Sequence, residues 1–242
     1  MDVYATDFTV NKKDDCSPLT VADLASHKVI CKRLAELEPD YPMLSEESAD
    51  IPYDKRKKWD RYWLIDPLDG TREFIKKNGE FTVNVALIEN HAPILGVVHV
   101  PVTGITYFAA RGEGAYKQSP GEQAIKINAK TTTDKISLAG SRSHGNERQQ
   151  AFIKKVNADE VIAIGSSLKF CLVAEGIVDI YPRFGPTSEW DTAAAQCVVE
   201  EAGGGVVDLS FNALQYNCKT SLINPEFLVI ADNSYDWGKF LK

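Results

Sequence analysis

From Pro18 to Leu37, apolar residues at Val21, Leu24, Ile30, Cys31, Leu34 and Leu37 return at helical spacing. Pro18 suits a first turn and Pro39 stands just past the end, so the pattern predicts an amphipathic helix. The run Tyr62 to Asp66 reads as a short buried strand entering a turn. Phe81 to Glu89, Ile94 to Val100 and Ile105 to Arg111 read as successive strands of an antiparallel meander, with breakers at Gly79, Asn90 to Pro93 and Gly104. Beyond Gly112 short strands (124–128, 136–140, 161–164 and 178–184) alternate with helical stretches at Glu147 to Val156, Ser167 to Glu175 and Trp190 to Ala202. The last of these ends in Gly203-Gly204-Gly205, a strong stop. The pattern therefore predicts an antiparallel first part, residues 1–115, and an α/β second part, residues 116–242, with a seam near 112–123. A cleft between two such layers is a common place for a small-molecule site.

The chain has 242 residues, 44% hydrophobic and 25% charged, which is ordinary globular composition with room for a sizeable core. With 27 Lys+Arg against 34 Asp+Glu the net charge is −7, and the longest basic run is Lys55-Arg56-Lys57-Lys58. A nucleic-acid partner is not expected from that balance. The five cysteines, Cys16, Cys31, Cys171, Cys197 and Cys218, are odd in number and form no C-x-x-C pair. They suggest neither a disulfide framework nor a zinc site and fit a reducing, cytoplasmic setting, with Cys16 structural and the rest filling the core. The N-terminus lacks the basic and apolar stretches of a secretory signal. The most apolar region, Val83 to Val100, is broken by Asn84, Glu89, Asn90, His91 and Pro93, so no membrane span is expected.

Candidate chemistry concentrates at Asp66-Pro67-Leu68-Asp69-Gly70-Thr71. Two carboxylates three residues apart leave a buried strand through a proline turn, and Gly70 and Thr71 then open a short helix. Such a turn can aim both carboxylates and a backbone carbonyl at one point, while the helix start offers N–H donors to an anion. Oxygen ligands beside an anion site describe a magnesium–phosphate site. The alternative is that Asp66 caps a turn and Asp69 caps a helix with no metal. Glu46 and Glu47 follow a short apolar strand, Pro42-Met43-Leu44, and on their own read as a solvated acidic loop. Asp191 opens an apolar helix and on its own reads as an N-cap.

Together, Glu46-Glu47, Asp66 to Thr71 and Trp190-Asp191 resemble, in order and spacing, the signature of the inositol monophosphatase superfamily of magnesium-dependent, lithium-sensitive phosphatases. The stretches 17–23, 79–101, 165–176 and 181–187 are similar to its bacterial CysQ branch, the 3'(2'),5'-bisphosphate nucleotidases, and the likeness runs from about Val10 to the end. The resemblance implies a layered αβαβα sandwich. It also implies that Glu46, Asp66 and the Leu68 carbonyl hold one magnesium and that Asp66, Asp69 and Asp191 hold a second, two or three ions in all. Thr71, hydrogen-bonded to Asp23, would orient and help deprotonate the attacking water, and the N–H groups of Gly70 and Thr71 would grip the phosphate. The haloacid-dehalogenase alternative uses D-x-D-G-T, whose second Asp comes two positions after the first; here the separation is three, with Pro67 and Leu68 between, and that reading is disfavoured.

Ser141, Arg142, Ser143, His144, Ser166, Ser167, Lys169 and Arg183 gather hydroxyls and cations suited to a second phosphate, although singly they read as scattered surface residues. Relatives acting on adenosine bisphosphates use equivalent positions for the 5'-phosphate and nucleoside. In inositol monophosphatases the place matching Arg183 is acidic, so the resemblance implies adenosine 3',5'-bisphosphate as substrate. An inositol or broad sugar phosphatase, and a metal-binding relative without catalysis, are the alternatives. Some relatives rest on the inner face of a membrane. Two departures stand out: family members usually carry a further amphipathic helix before this region, so that either the start is truncated or this member is short, with exposed apolar surface expected, and Ala195 takes a place usually held by Gly.

Overall fold

In the computed structural model, which describes residues 1–6, 10–12, 18–142 and 146–241, Thr20 and not Pro18 opens the first long helix. Helix α1 (Asp2–Ala5) and the paired strands β1 (Val10–Lys12) and β2 (Pro18–Thr20) precede α2 (Val21–Leu34). The Thr20 hydroxyl accepts from the N–H of Ala22 at 3.1 Å, and Asp23 Oδ2 accepts from the N–H of Thr20 at 2.7 Å. This reciprocal cap fixes the start three residues later than the apolar pattern suggests. The expected stripe is not a buried one: Asp23 is the buried residue of α2, while Val21 and Leu24 are exposed.

The first sheet runs β3 (Met43–Ser45), β4 (Arg61–Asp69), β5 (Thr82–Glu89), β6 (Ala92–Val100), β7 (Ile105–Ala110), β8 (Gly114–Gln118) and β9 (Ile125–Ile127), in that spatial order. Its β3–β4 pair is parallel and the rest are antiparallel. Turns and short helices hang from it: a 3-10 turn at Glu46–Ser48, α3 (Tyr53–Arg56) and α4 (Thr71–Ile75). Alternation along β5 buries Thr82, Asn84, Ala86 and Ile88 on one face.

The second sheet has the order β11 (Glu160–Ile164), β10 (Ser137–Ser141), β12 (Ile180–Arg183), β14 (Phe227–Ile230) and β13 (Gly205–Asp208). Helices α5 (Glu147–Val156), α6 (Leu168–Ala174) and α7 (Ala193–Glu201) accompany it. The chain changes sheet at residues 128–136. A division at 115/116 falls inside β8, because the short β8–β9 pair still belongs to the meander.

One core joins both sheets: Leu64, Ala86 and Val98 of the first and Tyr181, Val206 and Val229 of the second pack on Phe170 and Val173 of α6 and Ala194 and Val198 of α7. A second cluster lies beyond the second sheet, where Phe152 and Val156 of α5 meet Leu138, Ile180, Leu228 and Trp237. With α1 and α2 outside the first sheet, the layers are α, β, α, β, α. The expected helix over Trp190–Ala202 divides into a 3-10 turn at Glu189–Asp191 and α7, because the Asp191 carboxylate folds back to the N–H of Ser188. Cys171 and Cys197 are core fillers as expected, whereas Cys31 is half-buried and Cys218 exposed; Cys16 lies outside the described residues.

The run Ala193-Ala194-Ala195, at most 1% exposed, lets α7 lie directly on β6. A Cβ on Gly96 would stand 2.2 Å from the Ala194 carbonyl oxygen and 2.9 Å from Cys197 Cβ. Gly96→Ala is accordingly expected to destabilise the fold by about 3 kcal/mol, through forced separation of helix and sheet. Chemical denaturation checks this, and an unchanged midpoint would remove the close contact.

Candidate active site

Strand β4 loses its regular register between Asp66 and Asp69, so the Pro67–Leu68 segment leaves the ladder and its peptide groups become available for other bonds. Asp66 is 1% exposed. Its Oδ1 accepts from the N–H of Leu68 at 2.9 Å, and its Oδ2 is buried without a partner. Asp69 Oδ2 accepts from the N–H of Ser167 at 2.6 Å. Asp191 comes from the 3-10 turn before α7, and its Oδ2 accepts from the N–H of Ser188 at 3.0 Å. Carboxylate oxygens of Asp66, Asp69 and Asp191 lie within 4.8 Å of one another.

Crowding acids in this way disfavours the charged forms of Asp66 and Asp191. Burial, then the charges of Glu46, Asp69 and Asp191, push the Asp66 carboxyl well above the usual carboxylate range. Burial, then Asp69 and Glu46, push Asp191 from 3.8 up to about 8. A buried carboxylate oxygen with no hydrogen-bond donor, set among neighbouring acids, fits a hard cation that takes oxygen ligands, as magnesium does. Glu46, in the 3-10 turn after β3, lines the same cavity, as does Leu68.

Next to this cluster Gly70 adopts φ 91°, in the left-handed region, and opens α4. A Cβ there would meet Ser166 Cβ at 3.1 Å and the Glu80 carbonyl at 3.2 Å, so the position needs glycine for conformation as well as for space. The Thr71 hydroxyl lies 3.3 Å from Asp23 Oδ1 and 3.4 Å from the Leu68 carbonyl. Asp23, 1% exposed, is held from behind by the N–H and hydroxyl of Thr20, both at 2.7 Å.

A cavity of about 250 Å³ is lined by Glu46, Asp66, Leu68, Asp69, Gly70, Thr71 and Asp191 on the acidic side, together with Ser141, Ser166, Lys169 and Arg183. These elements are distant in sequence, and the cavity brings them together. Asp23 stands behind Thr71, while Ser143 and His144 lie outside the described residues. Burial pulls the Lys169 ammonium down to about 8. It donates to the carbonyls of Ser166 at 2.5 Å and Ile164 at 3.4 Å and lies 5.2 Å from the centre of the Tyr181 ring. Arg183 Nε donates to the Thr187 hydroxyl at 2.7 Å and Nη2 to the Pro186 carbonyl at 2.9 Å. Arg142, grouped with these cations by sequence, is exposed and clamped: Nε and Nη2 donate to the two Glu80 oxygens at 2.8 and 2.7 Å.

Sequence reasoning placed Ser167 among the phosphate hydroxyls, but its task here is with the acids. Its hydroxyl lies 2.8 Å from Asp69 Oδ2 and 2.9 Å from the Asp191 carbonyl, and it accepts from Asn84 Nδ2 at 2.9 Å. Tyr181 and Thr187, which also line the cavity, were visible only as parts of the Tyr181 to Thr187 stretch.

The chain matches the model of the inositol monophosphatase family over residues 1–238. It is 47% identical over 218 residues to the 3'(2'),5'-bisphosphate nucleotidase CysQ of Salmonella typhimurium, covering 90% of this chain and 87% of that protein. Identity to the Escherichia coli protein of the same name is 48% over 221 residues, covering 91% and 88%. The crystal structure of CysQ from Bacteroides thetaiotaomicron superposes with a TM-score of 0.81 at 42% identity, covering 90% of this chain and 86% of that one.

The raised acids generate a pH dependence. A carboxyl whose folded pKa is raised keeps its proton in the native state where the unfolded chain has already lost it. Stability without metal therefore falls as pH climbs from 3.8 to about 8. Asp191→Asn, which can still accept from Ser188, should stabilise the metal-free protein at pH 8 by on the order of 2 kcal/mol, have little effect near pH 4, and abolish stabilisation by magnesium. Thermal unfolding across pH, with chelator or with magnesium, measures all three effects. A destabilised variant at pH 8 would contradict the strained cluster.

Proposed function

The chain belongs to the inositol monophosphatase family, and we propose that it hydrolyses the 3'-phosphate of adenosine 3',5'-bisphosphate, releasing AMP and inorganic phosphate. The sulfated analogue, 3'-phosphoadenosine 5'-phosphosulfate, would be converted to adenosine 5'-phosphosulfate by the same step, and the activity supports sulfur assimilation. The observation that carries this reading is one cavity holding both an acid cluster suited to magnesium and a separate pair of cations, Lys169 and Arg183. A substrate with two phosphates matches both halves.

In this reading Glu46, Asp66 and the Leu68 carbonyl would hold one magnesium, Asp66, Asp69 and Asp191 would hold a second, and lithium would inhibit. Divalent cations bound there would lower the pKa of water and neutralise phosphate oxygens. The chain's own residues direct the proton. With its hydroxyl hydrogen pointed at Asp23 Oδ1, Thr71 presents a lone pair to the attacking water, takes up the proton that water releases and passes its own hydroxyl proton to Asp23. Asp23 stays oriented because its other oxygen is occupied by Thr20. The N–H groups of Gly70 and Thr71, at the start of α4, hold the 3'-phosphate, and Ser141, His144, Ser166, Lys169 and Arg183 receive the 5'-phosphate and nucleoside. The four unpaired cysteines among the described residues support a cytoplasmic setting, and no described helix is long and apolar enough to cross a membrane.

A substrate panel with magnesium, with and without lithium, tests the reading. Adenosine 3',5'-bisphosphate should turn over faster than inositol 1-phosphate, and equal or faster turnover of the inositol ester would assign a broad sugar phosphatase. Absence of phosphate release from every ester would leave a metal-binding relative. Asp69→Asn should reduce magnesium-dependent phosphate release to background with thermal unfolding still cooperative, and retained activity would take Asp69 out of the metal site. Arg183→Ala should raise KM for the bisphosphate about 10-fold while sparing a simple monophosphate, the loss expected for a charge-assisted hydrogen bond. Equal damage to both esters would refute the pocket.

A further inference from the structure

Helix α2 is poorly anchored by apolar packing. Val21, Leu24 and Val29 are 54%, 42% and 63% exposed, and Asp23 is the residue the helix buries. A helix lying on a sheet with so little dry contact keeps its rotation and height only if directional bonds fix them. Three side chains on one face, at positions 23, 26 and 27, make such bonds. Each ends on a different part of the frame around the acid cluster.

The first is the Asp23 contact with Thr71, already described. The second runs from the Ser26 hydroxyl to the Pro67 carbonyl at 2.8 Å. That carbonyl and the Leu68 N–H belong to one planar peptide unit, and the N–H donates to Asp66 Oδ1 at 2.9 Å. Ser26 thus holds one side of the peptide whose other side holds Asp66. This unit lies in the irregular part of β4, where the ladder gives it no support. The third joins His27 Nδ1 to Ser45 Oγ at 2.9 Å. Ser45 is fully buried and immediately precedes Glu46, yet its side chain does not cap the Glu46–Ser48 turn. Its hydroxyl is engaged by His27 instead, which ties the end of β3 to α2.

We propose that Ser26 and His27 are positioning residues which, through the Pro67–Leu68 peptide and Ser45, set the affinity of the acid cluster for its divalent cation. The inference rests on the magnesium reading of that cluster. Both act on the frame: one bond ends on a backbone carbonyl and the other on a serine hydroxyl. Their loss therefore loosens the positions of Asp66 and Glu46 while leaving all the carboxylates in place. Partners that orient metal ligands in this way typically contribute about 10-fold or more in affinity.

The test uses Ser26→Ala, His27→Ala and the double variant of the whole chain, with magnesium alone as the probe. The magnesium concentration giving half-maximal thermal stabilisation, without substrate, should rise about 10-fold in each single variant and further in the double. In the assay with adenosine 3',5'-bisphosphate, the magnesium requirement should rise in parallel, while kcat at saturating magnesium and KM for the nucleotide are retained. Ser26→Thr, which restores a hydroxyl, should recover the wild-type midpoint. Unchanged magnesium midpoints in variants that unfold cooperatively would overturn the inference, as would a loss of kcat that excess magnesium fails to restore. Should His27→Ala not fold, Ser26→Ala decides the question by itself, since it deletes a single oxygen. A wild-type chain that takes up no magnesium would overturn the reading of the cluster and this inference with it; wild-type uptake with equal uptake by the variants overturns the inference only.

Discussion

Three carboxylates held within 4.8 Å of one another, one of them almost fully buried, repel one another, and the surrounding fold has to hold them against that repulsion. It does so with backbone donors. Asp66 is tethered by the N–H of Leu68, Asp69 by that of Ser167 and Asp191 by that of Ser188. Regular strands and helices commit their N–H groups internally, so spare donors occur where regular structure breaks. Each tether is found at such a break: the register shift in β4, the segment after Ser166 with its φ of 44°, and the 3-10 turn before α7. Irregularity in all three places thus serves a single requirement. One oxygen of each acid is fixed by protein, and at Asp66 the other is left buried with nothing to meet it.

Close layering is what allows tethers from both halves of the chain to converge. Asp69 leaves the first sheet, and Asp191 enters from the turn that starts the middle helical layer. Ser167, at the start of the other middle helix, reaches both. The alanine run of α7 and Gly96 of β6 set the distance between these layers, since a larger side chain at the contact would lift α7, and with it the turn carrying Asp191, off the sheet carrying Asp69. Core packing far from the cavity is in this sense part of the site.

Much of this was legible because the decisive residues are neighbours in sequence. Asp66 to Thr71 make one turn, and its outcome follows from local rules: proline leaves the ladder, glycine takes the left-handed angle, and threonine begins the helix. The layered fold and the gathering of Glu46, Asp191, Lys169 and Arg183 came from resemblance, since periodicity has no means of bringing residues over a hundred positions apart to one cavity. Side-chain partnerships across the fold were invisible. Ser26 meets Pro67 41 residues away, and His27 meets Ser45 18 away, with no local pattern to mark either. The apolar positions of α2 were read as an inward stripe because spacing records periodicity but says nothing about whether a partner surface exists. The seam between halves was placed early because β8 and β9 are short and carry weak strand signals, yet they pair with the meander.

Charge shows the same division between what composition reveals and what only geometry can. Arg142, Lys169 and Arg183 are indistinguishable as cations in sequence, but they have different partners. Both Glu80 oxygens take the Arg142 guanidinium, so its charge is already matched and its work is to join the loop before β5 to the end of β10. Lys169 and Arg183 are held instead by neutral oxygens: carbonyls of Ile164 and Ser166 for the first, the Thr187 hydroxyl and Pro186 carbonyl for the second. Neutral acceptors orient a cation without cancelling it, which leaves its charge available to an anion entering the cavity. The lowered pKa of Lys169 is the consequence: burial without a bonded carboxylate makes the ammonium costly until an anion arrives. The acid cluster has the converse imbalance: burial and mutual repulsion make the charged forms of Asp66 and Asp191 costly until a cation reaches them. On the proposed reading, a ligand that delivers anionic groups together with divalent cations would relieve both imbalances at once, which would tie occupancy of the proposed phosphate pocket to that of the proposed metal site.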